Sequence, residues 1–248
     1  MAACLLESRG LGVCYPNGVR ALHPASFAIG SGEFVALLGP SGAGKSSLLR
    51  AMNGLAMASE GEVLLHGERI DRSGSSLRKL RKQVAMVFQQ HQLIGRCSAL
   101  TNVLTGRLSA HSSLRSLLPL PQSDQLIALE ALDRVGLASV ALRRCDELSG
   151  GQQQRVGIAR AIAQHPRMLL ADEPVASLDP ATAAEVLTLI RSICEESGIS
   201  AVVSLHQVDL ARRFGTRILG LAQGKLRIDC AARDLSSANL NALYGLAA

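Results

Sequence analysis

The sequence predicts an α/β protein with a mostly parallel sheet. Three observations carry that expectation: five apolar runs of strand length, helical patterns between most of them, and a glycine-rich loop where one run gives way to a helix. The runs are residues 34–38, 84–88, 168–171, 201–205 and 218–221. Each is short and predominantly apolar, as strands buried on both faces of a sheet are. Ligands of open parallel sheets bind beyond the carboxyl ends of the strands. That rule directs attention to the loop 39–46, to Gln89, to Asp172 and Glu173, and to His206.

Residues 89–166 offer no convincing strand and read as loops and helices. The expected organisation is therefore a single domain over residues 1–248, in which a core of residues 1–88 and 164–248 carries an inserted helical subdomain, 89–163. Within the insertion, residues 108–124 are rich in Ser and Leu and carry Pro119 and Pro121, which predicts a long loop or a broken helix. The densest basic stretch, Arg78-Lys79-Leu80-Arg81-Lys82, has helical spacing and reads as a solvated helix face. There is no internal repeat.

Composition excludes several classes. With 48% hydrophobic and 19% charged residues the chain is compact rather than disordered. No apolar run approaches the ~20 residues of a membrane-spanning helix. The first ten residues carry Glu7 and Arg9 instead of a signal-peptide core, so the chain is expected to be neither exported nor membrane-spanning. Six cysteines stand singly without C-x-x-C spacing, which reads as reduced thiols and not a zinc or redox site. A net charge of +6 suits a polyphosphate, an anionic membrane surface or nucleic acid. Nucleic acid is the weakest of these, since no Trp, two Tyr and four Phe make a poor base-stacking platform.

Gly39-Pro40-Ser41-Gly42-Ala43-Gly44-Lys45-Ser46 matches the G-x-x-x-x-G-K-[ST] phosphate loop in its required context, after an apolar run and before a helical pattern. Chance produces this match in about one per cent of chains this long. Glycines let the backbone turn its N–H groups towards phosphate oxygens, and the following helix adds its positive end. Lys45 would supply charge to the β- and γ-phosphates and Ser46 a hydroxyl to Mg²⁺. Ser47, next in the chain, is expected to belong to the same nucleotide-binding set. The run 168–171 ends in Asp172-Glu173. Two carboxylates beside a metal can divide the labour, Asp172 orienting Mg²⁺ and Glu173 polarising an attacking water. Leu148-Ser149-Gly150-Gly151-Gln152 opens a helical pattern that includes Val156, Ala159, Ile162 and Ala163. Ser149 is its expected N-cap, and the glycines allow a second close anion approach. Asp179-Pro180 before residues 181–193 likewise reads as an N-cap with proline in the first turn. In Cys14-Tyr15-Pro16-Asn17-Gly18, the residues after Tyr15 are those of a turn.

Taken in order and spacing, the phosphate loop, residues 148–152, Asp172-Glu173, Ser177-Leu178-Asp179 and His206 resemble the defining motifs of ATP-binding cassette (ABC) proteins over essentially the whole chain. The resemblance implies a P-loop NTPase core of the RecA-like type with a small antiparallel β part. It also implies a head-to-tail homodimer that sandwiches ATP and Mg²⁺ between one subunit's phosphate loop and the other's residues 149–152. Gln89 would sense the γ-phosphate, help to position metal and water, and couple to a membrane permease. His206 would contact the γ-phosphate and orient Glu173, Asp179 would lie on the loop that crosses the dimer interface, and Tyr15 would stack on adenine. Gly157, where the family usually has Ala, and the short amino-terminal segment depart from the pattern without removing a catalytic group.

Residues 96–108, 170–180 and 205–211 resemble the phosphonate-import ATP-binding subunits. This implies a peripheral ATPase on the cytoplasmic face of the membrane, working with a permease and a periplasmic binding protein, with little chain left after the last strand. Phosphite, phosphate or an amino acid stays open as cargo, since no residue here would touch it. Two other classes are weaker. A P-loop kinase has no use for residues 148–152, and a soluble cassette acting on DNA or ribosomes usually carries two cassettes or a long coiled-coil insertion.

Overall fold

The computed structural model describes residues 4–71, 73–90, 92–112, 119–176 and 178–245. Ser177, within one of the motifs, lies outside them. Two sheets organise the chain. The larger has the order β10-β9-β3-β8-β7-β6, formed by β3 (Phe34–Leu38), β6 (Val84–Val87), β7 (Met168–Ala171), β8 (Ser200–Leu205), β9 (Arg217–Ala222) and β10 (Lys225–Ala231). All its described pairings are parallel except β9 with β10. β3 lies between β8 and β9 and is buried throughout, because both sheet faces are covered. Its side chains alternate between two cores: Phe34, Ala36 and Leu38 face the helices, whereas Val35 and Leu37 face the second sheet.

The second sheet is antiparallel, with the order β2-β1-β4-β5 built from β1 (Cys4–Cys14), β2 (Arg20–Gly30), β4 (Glu60–Leu65) and β5 (Glu68–Arg69). The sequence did not locate these strands. β1 and β2 are interrupted by register shifts, which break the strict alternation that marks a half-buried strand. Between the sheets runs α1 (Lys45–Met52), whose Leu48, Leu49 and Met52 are fully buried, each contributing about 1.5–3 kcal/mol.

α2 (Gly74–Gln83) buries Leu80 and leaves Arg78, Lys79, Arg81 and Lys82 exposed, as the basic spacing predicted. Between β6 and β7 the described residues form α3 (Ala99–Leu104), α4 (Gln122–Arg134), α5 (Gly150–Ile162) and short 3₁₀ turns. These helices pack on one another through Ala99, Val103, Ala128, Leu132, Val156 and Ala159. Of the predicted irregular stretch 108–124, a 3₁₀ turn at Thr105–Ala110 covers the beginning and α4 begins at Gln122, while residues 113–118 lie outside the described set. α6 (Pro180–Ser197) is capped by Asp179, which accepts from the amides of Ala181 and Thr182 at 3.1 Å each. α7 (Val208–Phe214) joins β8 to β9.

The run 218–221 is not the last strand. β10 follows through the two-residue turn Gln223-Gly224, and α8 (Ser237–Tyr244) then packs Leu243 against Gly220 of β9. β10 alternates exposed and covered residues, so it lacks the continuous apolar run by which the central strands were read. No described helix is long and apolar enough to cross a membrane.

Gly157 lies buried in α5, and a Cβ there would meet nothing within 4 Å apart from the helix's own backbone. Gly157→Ala is expected to stabilise the chain by about 0.8–1 kcal/mol through helix propensity. Thermal unfolding should report a midpoint raised by about 2–4 °C; an unchanged or lowered midpoint would mean that the methyl is not accommodated.

Candidate functional site

The phosphate loop joins β3 to α1 at the carboxyl edge of the larger sheet. Glycine is required at two of its positions by close approach. A Cβ on Gly39 would lie 2.1 Å from the Leu221 carbonyl oxygen, and one on Gly44, at φ 101°, would lie 2.4 Å from that of Ala21. Pro40, Ser41, Gly42 and Ala43 complete the loop, with the Ala43 amide donating to the Pro40 carbonyl at 3.1 Å. The amides of Gly44, Lys45, Ser46 and Ser47 donate to no acceptor among the described residues. They are the orphan donors of a helix N-terminus, aimed where an anion would sit. Lys45 is 4% exposed, and its Nζ donates to the carbonyls of Gly39 at 2.8 Å and Pro40 at 3.2 Å. Burial pushes its ammonium below the usual lysine range, against the opposing pull of Glu173 and Asp172.

Beyond the ends of β6, β7 and β8 the predicted residues meet. Ser46 Oγ donates to Asp172 Oδ1 at 2.9 Å, leaving its lone pairs available to a hard cation. Asp172 is 3% exposed. Ser204 Oγ, from β8, also donates to Asp172 Oδ1, at 3.2 Å. Glu173 follows in the left-handed region at φ 47°, and its amide donates to Ser204 Oγ at 2.7 Å. Three groups converge on the Glu173 carboxylate: Gln89 Nε2 at 2.9 Å, His206 Nε2 at 2.6 Å and Lys45 Nζ at 3.7 Å. The arrangement thus combines an anion cradle, a hydroxyl–carboxylate pair suited to a divalent cation, and a carboxylate held by three partners.

Other predicted residues stand apart. Tyr15 closes β1 as part of the expected turn, the Gly18 amide donating to its carbonyl, and its hydroxyl lies 3.1 Å from Ser47 Oγ. The ring therefore flanks the phosphate loop. Ser149 and Gln152 form a full capping box on α5. A Cβ on Gly151 would lie 3.9 Å from Thr182 of α6, so the entrance of α5 adjoins the helix that Asp179 caps. Ser149, Gly150 and Asp179 are exposed. Among the described residues, no hydrogen bond or ion pair joins Ser149, Gly150, Gly151, Gln152 or Asp179 to the phosphate loop.

Residues 22–176 match the family model described as ABC transporter, which spans more than half of the chain. The chain belongs to the ABC transporter family. It is 54% identical over 241 residues to the phosphonates import ATP-binding protein PhnC 3 of Nostoc sp., covering 97% of this chain and 92% of that one. It is 58% identical over 234 residues to the phosphite import ATP-binding protein PxtA of Stutzerimonas stutzeri, covering 94% and 85%. Among solved structures it is similar to an ATP-binding cassette seen as a dimer in a post-hydrolysis state with ADP and Pi bound (TM-score 0.82, 34% identity, 93% of this chain and 100% of that one). It is also similar to cbiO1 of Clostridium perfringens, part of an ABC transporter complex (TM-score 0.82, 28% identity, 94% and 90%). The cassette fold expected from the motifs is the fold of these ABC relatives.

Sequence reasoning missed two groups at the ABC site. Ser204 is fully buried near the end of a strand that is apolar except for it and Ser200, and a hydroxyl two residues before His206 was the available signal. Tyr244 of α8 places its hydroxyl 3.5 Å from the His206 carbonyl oxygen. Nothing local marked it, since the approach depends on how α8 docks.

Proposed function

We propose that this chain is the ATP-hydrolysing subunit of an ABC importer, and that its transporter carries phosphonates. One observation carries the catalytic part: Gln89, His206 and Lys45 converge on Glu173 beside the Ser46–Asp172 pair. The orphan amides at the start of α1 and the Lys45 ammonium bind the β- and γ-phosphates of ATP. Ser46 and Asp172 are the donors that suit Mg²⁺, a hydroxyl and a carboxylate already in contact, with Gln89 close enough through Glu173 to assist. When bound, Mg²⁺ would neutralise charge on the phosphate oxygens.

Glu173 draws a proton from the attacking water as the new P–O bond forms and ADP departs. His206 and Gln89 fix the direction of that carboxylate. Tyr15 stacks on adenine in this reading, which its position beside the phosphate loop, with its hydroxyl 3.1 Å from Ser47 Oγ, supports. The exposure of Ser149, Gly150 and Asp179, away from the chain's own phosphate loop, supports a head-to-tail homodimer in which they serve the partner's nucleotide. The helical subdomain, residues 89–163, then joins Gln89 to residues 149–152 and would carry the signal to membrane permease subunits at the cytoplasmic face. A periplasmic binding protein delivers the cargo, and nucleic acid has no part.

A second reading, phosphite import, is favoured by the 58% identity to the phosphite relative. Reconstitution with the permease and binding protein in liposomes separates the two. Methylphosphonate is expected to stimulate ATP hydrolysis. Stimulation by phosphite alone would favour the second reading, and hydrolysis indifferent to both would discard both cargoes.

A further inference from the structure

Burying a hydroxyl in an apolar strand costs free energy unless it is hydrogen-bonded. Ser204 is 0% exposed, and both of its bonds run to the same place: it accepts from the Glu173 amide at 2.7 Å and donates to Asp172 Oδ1 at 3.2 Å. Asp172 is also held from the other side, where its amide donates to the Val87 carbonyl of β6 at 2.9 Å. Past the last β7–β8 pair, Ala171 with Val203, the ladder gives way to a side chain, and the Ser204 hydroxyl takes over the link between these strands. Glu173, whose amide is so held, lies in the left-handed region at φ 47°, which a non-glycine residue rarely adopts, and that conformation must persist for its side chain to reach Gln89 and His206.

We propose that Ser204 is a positioning residue that sets Asp172 and Glu173 relative to each other, fixing the metal-side carboxylate through its proton and the base through its lone pair. This rests on the functional reading above. With Ser46 turned partly to a cation, Ser204 is the group that keeps Asp172 Oδ1 oriented. Partners of this outer kind change metal affinity or activity by about 10–100-fold when removed.

The test uses the full chain as wild type, Ser204→Ala and Ser204→Cys, the last filling the space with a poor hydrogen-bonding group. Binding of a fluorescent non-hydrolysable ATP analogue is titrated with Mg²⁺, and ATP hydrolysis is followed at saturating Mg²⁺. Both variants should need about tenfold more Mg²⁺ for half-maximal effect and lose about tenfold in kcat. KM for ATP and affinity without Mg²⁺ should stay within about twofold, because the phosphate loop is untouched. Wild-type behaviour in either variant would overturn the proposal, as would an equal loss of affinity with and without Mg²⁺, which would mean a packing defect. A wild-type chain that neither responded to Mg²⁺ nor hydrolysed ATP would instead remove the functional reading, and this inference with it.

Discussion

Glu173→Gln is expected to retain ATP binding and to lower turnover by about 10²–10⁴-fold, the range spanned by loss of a positioned general base. The amide is nearly isosteric with the carboxylate, so Gln89 Nε2 keeps an oxygen to donate to and the left-handed backbone at φ 47° needs no new accommodation. What disappears is the negative charge facing Lys45 at 3.7 Å and the basicity available to a water. Phosphate release measures the turnover. Equilibrium binding of a fluorescent ATP analogue should remain within about threefold of wild type, since the cradle at the start of α1 is unaltered. Size-exclusion chromatography with ATP should then reveal a stable dimer, because ATP held between two subunits persists when it is not cleaved. Near-normal turnover would remove Glu173 from the base role, and would point to a water oriented by His206 and Gln89 without it.

Lys45→Ala should act on binding itself. The ammonium is 4% exposed and is held by the carbonyls of Gly39 and Pro40, so it is already desolvated and directed into the loop. Hydrogen bonds to charged groups contribute about 1.5–3 kcal/mol. Losing that contact with the phosphates should raise the Kd for ATP by about 10–100-fold. Because burial already holds the Lys45 ammonium below its usual range, it is poised to gain from a polyphosphate that supplies opposing charge. Calorimetric titration with ATP and Mg²⁺ checks the loss, and thermal unfolding of the free variant separates it from a folding defect. An unchanged Kd in a normally melting variant would leave the orphan amides as the whole of the phosphate site.

The motifs were legible because each is local. A phosphate loop needs its glycines and lysine in one short segment, and a cap lies within three residues of the amides it satisfies. The central strands were legible because burial on both faces demands continuous apolar runs. Ser149 and Asp179 cap the helices predicted for them. The antiparallel strands were not located, for bulges in β1 and β2 erase their alternation, and β10 reads as a surface segment because one of its faces meets solvent.

By itself the sequence determined the fold class, the family motifs in their order, and the residues at the ends of the central strands, since those depend on spacing along the chain. Only the tertiary structure decided that Gln89, Lys45 and His206 meet on one carboxylate, that a hydroxyl from β8 ties Asp172 to the Glu173 backbone, and that α8 brings Tyr244 to the same loop. These contacts join residues 31 to 128 positions apart. They follow from which strands are neighbours in the sheet and from how α8 docks on it, and no local preference along the chain encodes either.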